Sequence, residues 1–168
     1  KTIIKYPVPS VGIRGESGNI REKKMGYYLA DEEIFRKVTE ETGAGNCRHP
    51  LSFILEAADD LAYKTADIED AFVKGYISYY TLEKELAPLE RERSTQSASA
   101  FLPLTKLHRL YERGMQKNVS DPASYAVKNW IVSAQGFLIN CATFGFTSNY
   151  DSIMAGTWEK DLFYGTFG

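Results

Sequence analysis

Residues 48–74 read RHPLSFILEAADDLAYKTADIEDAFVK and predict one long helix. Pro50 suits the first turn of a helix, where a missing N–H costs nothing, and Gly75 supplies a stop. At about 100° per residue, Ser52, Glu56, Asp59, Asp60, Tyr63, Asp67 and Asp70 fall within roughly a third of the circumference. Ile54, Ala58, Leu61, Ala62, Thr65 and Phe72 are expected on the opposite, packed side. Five acids therefore share one face. The pairs Glu56/Asp59, Glu56/Asp60 and Asp67/Asp70 each cost a helix roughly 0.2–0.5 kcal/mol. Asp60/Lys64 and Asp70/Lys74 offset part of this, and a metal ion or cationic side chains from elsewhere would offset more. An acidic helix face is usually just solvated. Two features oppose that reading here. Tyr63 stands among the acids, where a solvated face would carry Lys, Gln or Glu. Ala57, Ala58 and Ala62 beside them are small enough to let a ligand or helix approach.

Outward from this helix the chain reads as all-α, with no convincing strand of period two. The first 29 residues hold Pro7, Pro9, Gly12, Gly15, Gly18 and Gly26 and read as loop, with a short extended or helical entry at Thr2–Lys5. Asp31 is the expected N-cap of a helix whose apolar face is Ile34, Phe35 and Val38 and which Gly43 ends. Beyond Gly75, residues 77–92 are expected to be helical but interrupted at Pro88, and 91–99 to be loop. Leu104–Gln116 forms a helix on Leu104, Leu107, Leu110 and Tyr111. Asp121 and Pro122 start a long helix to about Phe146, and a short one follows at Asn149–Ala155, closed by Gly156. Met25, Met115, Met154, Trp130 and Trp158 read as packing residues.

The chain has 168 residues, the size of one domain, and a net charge of −2. That balance gives no bulk attraction to DNA or to an acidic membrane. A polyanionic small molecule would need locally placed cations. Cys47 and Cys141 are far apart and form no CxxC pair, so a disulfide framework or structural zinc is not expected, and a reducing cytoplasm fits best. No apolar run is long enough to span a bilayer, and the start KTIIKYPVPS has no signal-peptide core. A nucleic-acid partner is open but not indicated, because the basic residues of 90–93 alternate with acids. Phosphate-loop, HExxH and GxSxG motifs are absent.

The run from Arg48 to Ala71 closely resembles a signature of the deoxyguanosinetriphosphate triphosphohydrolases, members of the HD superfamily of metal-dependent phosphohydrolases. Similar echoes lie in Ile4-Lys-Tyr-Pro, Lys23-Lys-Met-Gly-Tyr-Tyr and Asn149-Tyr-Asp-Ser-Ile-Met-Ala-Gly-Thr, whereas residues 76–125 match loosely. The resemblance implies a multi-helix HD-domain-like bundle. It also implies cleavage of a dNTP at the α-phosphate, giving deoxynucleoside and triphosphate. Asp59, the first acid of Ala-Ala-Asp-Asp, would be the distant metal ligand for Mg²⁺ or Mn²⁺, hard cations that suit carboxylate oxygen. Tyr63 would pack on the substrate sugar, and Asp67 would accept the 3′-hydroxyl. Lys5 and Lys24 match family lysines near the phosphates, and Tyr6 beside them would be a substrate-binding residue too. Lys128 stands in for a family arginine, losing its bidentate fork. The partners implied are a dNTP and further copies of the chain in a homo-oligomer.

The family's other metal ligands, a His and a His-Asp pair, have no counterpart. His49 precedes Pro50, and His108 precedes Arg109. His49 reads as a capping or packing residue, and His108 as structural or surface, with no partner in view. The chain starts at Lys1 without a methionine and ends at Gly168 just after an apolar stretch. It is therefore expected to be the central and C-terminal portion, residues 1–168, of a longer enzyme, with no catalytic residue assigned on it. The rival reading is a non-catalytic helical module for assembly or nucleotide sensing. One carboxylate cannot hold an octahedral ion tightly. The isolated 168-residue chain should thus show weak metal affinity and no dNTP turnover, which a hydrolysis assay checks directly.

Overall fold

Proline and glycine set most of the helix ends. The computed structural model describes residues 3–14, 19–94 and 101–164. Among them the regular structure is all helical: α1 (Glu32–Thr42), α2 (Pro50–Val73), α3 (Tyr79–Ser94), α4 (Pro103–Gln116), α5 (Pro122–Ser148) and α6 (Tyr150–Met154). Gly43, Gly75 and Gly156 take left-handed φ of 64°, 76° and 74° just beyond α1, α2 and α6, a conformation that costs glycine nothing. Asp121 accepts from the Ser124 N–H and hydroxyl, so it caps α5 as its sequence position predicts.

Several expectations need correction. Asp31 sits at the N-cap position of α1, but it closes a single 3₁₀ turn (Leu29–Asp31) and its side chain accepts no capping bond. Phe35 and Thr39 are the buried residues of α1, one turn apart, while Ile34 points outward at 63% exposure. Pro88 does not interrupt α3, which runs on to Ser94. Both Pro88 and Lys84, whose carbonyl loses its donor, lie on the exposed side, open to solvent. Residues 91–94 are thus helical, and 95–99 of the expected loop lie outside the described residues. So do Thr2, Gly15 and Gly18. Met25, Met115 and Met154 are exposed and do not serve as core. Among its described residues, the N-terminal stretch is irregular apart from 3₁₀ turns at Ser10–Gly12, Ile20–Glu22 and Leu29–Asp31 and one isolated parallel bridge between Pro9 and Tyr27.

The chain divides into two compact units. The first comprises residues up to Asp60 and from Asn140 onward. Its core is Ile20, Phe53, Ala57, Ile153 and Leu162, flanked by Ala142, Phe146, Trp158 and Phe163. Gly145 is needed there, because a Cβ would lie 2.0 Å from the Leu162 carbonyl oxygen. The second unit, Leu61–Ile139, packs α3 and α4 with the first part of α5 around Leu82, Leu86, Leu107, Leu110, Val127 and Trp130. The Trp130 indole donates to the Pro103 carbonyl at 2.8 Å, so a buried polar group is satisfied at the start of α4. Glu90 accepts from the Thr105 N–H and hydroxyl and does the capping that Leu102 cannot. His108, expected without a partner, lies 2.6 Å from Glu83 and links α4 to α3.

No helix among the described residues is long and apolar enough to cross a membrane. Leu107 is fully buried. Replacing it with alanine removes three heavy atoms from a packed site and should destabilise the protein by about 2–5 kcal/mol, measured as a shift in the denaturant midpoint.

Candidate functional site

The site is built on the first half of α2 and on the irregular segment that docks against it. Phe53, Ala57 and Leu61, at four-residue steps, are buried and hold α2 in place. Glu56 and Asp59 therefore rise on a different face, Glu56 half-buried and Asp59 exposed. Farther along α2, in the second unit, Thr65 is buried, donates to the Leu61 carbonyl and accepts from Gln135 at 2.9 Å. The expected wheel needs adjusting by a fraction of a turn. Ser52 is fully buried, whereas Ile54, Ala58 and Ala62 are exposed. Helical side chains lean toward the N-terminus, and small alanines assigned to the packed side give little signal of where its edge falls.

Arg48, at the entrance to α2, organises the site. Its side chain is 1% exposed, and its Nη2 donates to Glu56 Oε2. Its Nε donates to the backbone carbonyl of Lys5 at 2.9 Å. The guanidinium carbon lies 5.1 Å from the Tyr6 ring centre and 4.6 Å from that of Phe53. Such contacts are worth about 0.5–2 kcal/mol each. Among the described residues its Nη1 is buried with no hydrogen-bond partner. Tyr6 is buried, and its hydroxyl donates to Glu56 Oε1 at 2.7 Å. Each oxygen of Glu56 thus receives its own donor.

Lys5 is carried by the same segment, and its Nζ lies 2.8 Å from Asp59 Oδ2. The lysine side chain is 23% exposed and the aspartate 50%. Gly26 makes this docking sterically feasible. A Cβ at position 26 would fall 1.7 Å from the Tyr6 carbonyl oxygen, and the Gly26 N–H donates to the Val8 carbonyl. That gives the glycine of Lys24-Met-Gly a physical role that the sequence did not disclose. His49 acts as a capping residue: Leu51 N–H donates to its Nδ1 at 3.3 Å.

The remaining residues singled out in the sequence lie elsewhere. Lys24 is exposed. Tyr63, at 68% exposure, and Asp67, also exposed, belong to the second unit. Lys128 is exposed on α5 in that unit; the Asp121 carboxyl is held below its ordinary range chiefly by the Ser124 hydroxyl and N–H, with a smaller contribution from the Lys128 charge. Sequence reasoning missed Arg48 as a site residue, although it quoted it. An arginine at a helix entrance carries no sign of being buried. Only Glu56, an acid two turns ahead of it on the acidic face, hinted at a partner.

Electrostatics follow from this packing. Burial raises the Tyr6 phenol well above its ordinary value, and the bond to Glu56 adds to that, so the hydroxyl remains a donor. For Glu56, burial pushes upward, but the hydrogen bonds from Tyr6 and Arg48, then the charges of Arg48 and Lys23, win, and the carboxyl is held below its ordinary range. Among the described residues, no group of three or more His, Cys, Asp or Glu could hold a metal ion. Asp59, expected from the sequence as a metal ligand, is paired with Lys5 among them.

Comparison with known proteins adds the following. The chain is 38% identical over 161 residues, 95% of its length, to a deoxyguanosinetriphosphate triphosphohydrolase-like protein of Listeria monocytogenes, and equally to one of Listeria innocua. It is 30% identical over 163 residues to a deoxyguanosinetriphosphate triphosphohydrolase of Yersinia enterocolitica. In each case it covers 32% of the relative, so the chain spans about a third of the length of the curated relatives it matches. No family model matches the chain.

The depressed Glu56 carboxyl has a signed consequence. Its stabilising contribution is full above the unfolded value of about 4.3 and is lost as pH falls through the folded value. Thermal melts between about pH 6 and pH 3 should therefore show a steeper loss of stability for the native protein than for Glu56→Gln. Parallel curves would refute the assignment.

Proposed function

Because this chain is homologous to one segment of the deoxyguanosinetriphosphate triphosphohydrolases, we propose that it supplies the sugar- and phosphate-facing part of a dNTP hydrolase. The reaction is cleavage at the α-phosphate to deoxynucleoside and triphosphate. The observation that carries this reading is the alignment over 95% of the chain with relatives named for that activity. The Lys5 ammonium beside the Asp59 carboxylate supports it, since that acid is engaged by a tertiary partner from 54 residues away.

In this reading Asp59 contributes one oxygen ligand to a site for Mg²⁺ or Mn²⁺ whose other ligands come from outside the described residues. The ion, when bound, lowers the pKa of its water and so supplies the nucleophile. The chain's own residues bind and orient. Tyr63 presents a ring face to the deoxyribose. Asp67, four residues on, accepts a hydrogen bond from the 3′-hydroxyl, which favours deoxyribose over other pentoses. Lys5 and Lys24 neutralise phosphate oxygens, which a chain with net charge −2 can do only with individually placed cations. Tyr6 holds Glu56 and thereby supports its neighbour Lys5. Lys128 adds a further cation near the substrate.

The test is turnover by the native-length protein with Mg²⁺ or Mn²⁺ and each dNTP, following triphosphate release. Asp59→Asn should lower kcat by about 100-fold or more, in line with loss of a metal ligand or its support. Tyr63→Ala and Asp67→Asn should mainly raise KM. A native-length protein that binds dNTP without releasing triphosphate would favour the nucleotide-sensing module instead.

A further inference from the structure

Resting on the reading of Lys5 as a phosphate-facing cation, we propose that Arg48 is a positioning residue that acts through Lys5. Six contacts, all within the first unit, point to this. Arg48 Nε is bonded to the main-chain carbonyl of Lys5. Its charge is fixed by Glu56, itself held from the other side by the Tyr6 hydroxyl. Its guanidinium lies over both the Tyr6 and Phe53 rings. The Lys5 ammonium then reaches Asp59, one turn beyond Glu56 on α2.

The two ion pairs have different characters. Arg48–Glu56 is almost withdrawn from solvent, with side chains 1% and 13% exposed, whereas Lys5–Asp59 is 23% and 50% exposed. An exposed pair between a flexible lysine and an aspartate is weak by itself. It persists at one place only if the lysine backbone is fixed. Arg48 fixes that backbone, and it does so without touching the ammonium, which remains available on its four-carbon stem. A lysine in place of Arg48 would keep a charge for Glu56 but lose the planar fork that reaches Glu56 and the Lys5 carbonyl together.

The experiment is amine footprinting of the native protein with an acetyl N-hydroxysuccinimide ester. Acylation of Lys5 is read by peptide mass spectrometry against exposed Lys37 as internal control. Asp59→Asn should raise the Lys5 rate by about threefold or more, the range expected for freeing an exposed pair. Arg48→Lys should raise it similarly, and the double variant should match Asp59→Asn alone. If Arg48→Lys melts below the assay temperature, Glu56→Gln takes its place, with the same increase expected. An unchanged Lys5 rate in the folded Arg48 or Glu56 variant, or in Asp59→Asn, overturns the proposal. In turnover, Arg48→Lys should raise KM for the dNTP, and that effect should vanish in a Lys5→Met background. Additive losses would mark Arg48 as merely structural. Footprinting needs no catalysis, so a protein that fails to hydrolyse dNTPs sinks the functional reading while the Lys5 result stands or falls alone.

Discussion

The ion pair between Arg48 and Glu56 is the constraint on which the first unit's site depends. Among the described residues before α1, regular structure is limited to single 3₁₀ turns and one isolated bridge, joined by separate backbone bonds such as Ser10 N–H to the Tyr27 carbonyl and Arg14 N–H to the Glu22 carbonyl. They are also located by contacts to something rigid, and for Lys5 and Tyr6 that element is α2. Removing one partner of a buried pair costs about 3–5 kcal/mol because the other charge is left uncompensated. Arg48 therefore cannot leave Glu56 cheaply, and its remaining contacts inherit that fixity. The Lys5 carbonyl, the Tyr6 ring and the Phe53 ring are all held by one side chain. Its unpartnered Nη1 is a cost of roughly 1–3 kcal/mol, which the two ring contacts and the charged bond to Glu56 offset.

The same pair resolves a difficulty posed by α2 itself. A helix with acids at positions 56, 59, 60, 67 and 70 repels itself along one face. In the structure part of the repulsion is met, at three of these acids. Glu56 takes two donors, Asp59 takes Lys5, and Asp70 takes Lys74 at 2.6 Å. Two of these three solutions come from residues distant in sequence. An acidic face answered by tertiary cations is organised differently from one left to water, because each cation must be delivered by a piece of backbone that is itself anchored. Gly26 belongs to that anchoring: its missing side chain lets the Tyr6 carbonyl close in.

How much of this could be read from sequence follows from the range of each interaction. Local signals were legible. Pro50 and Gly75 bracket α2, Gly43 ends α1, and Asp121 caps α5, each through a bond or dihedral within a few residues. The acidic face was legible because helical periodicity is local. Pro88 misled, since proline's cost depends on whether the abandoned carbonyl can reach water, which is a tertiary matter. The exposed methionines misled for a similar reason: hydrophobicity permits burial but does not require it. The Glu83–His108 contact joins two helices 25 residues apart, and Arg48's burial depends on Lys5 and Tyr6 more than 40 residues upstream. No spacing rule reaches that far.

A division of labour between the two ion pairs follows from their burial. The enclosed pair defines position and tolerates little change, since low dielectric makes its loss severe. The open pair has a modest energy and a hydrated lysine head, so it can be exchanged for a competing ligand at small cost. Under the proposed function, a polyanionic substrate approaching this acidic helix would need both properties at once. It needs a cation already standing at the carboxylates, and it needs that cation to be releasable. Anchoring the lysine through its main chain and not through its ammonium satisfies the two requirements together, because the fixed atom and the exchangeable atom are separated by the length of the side chain.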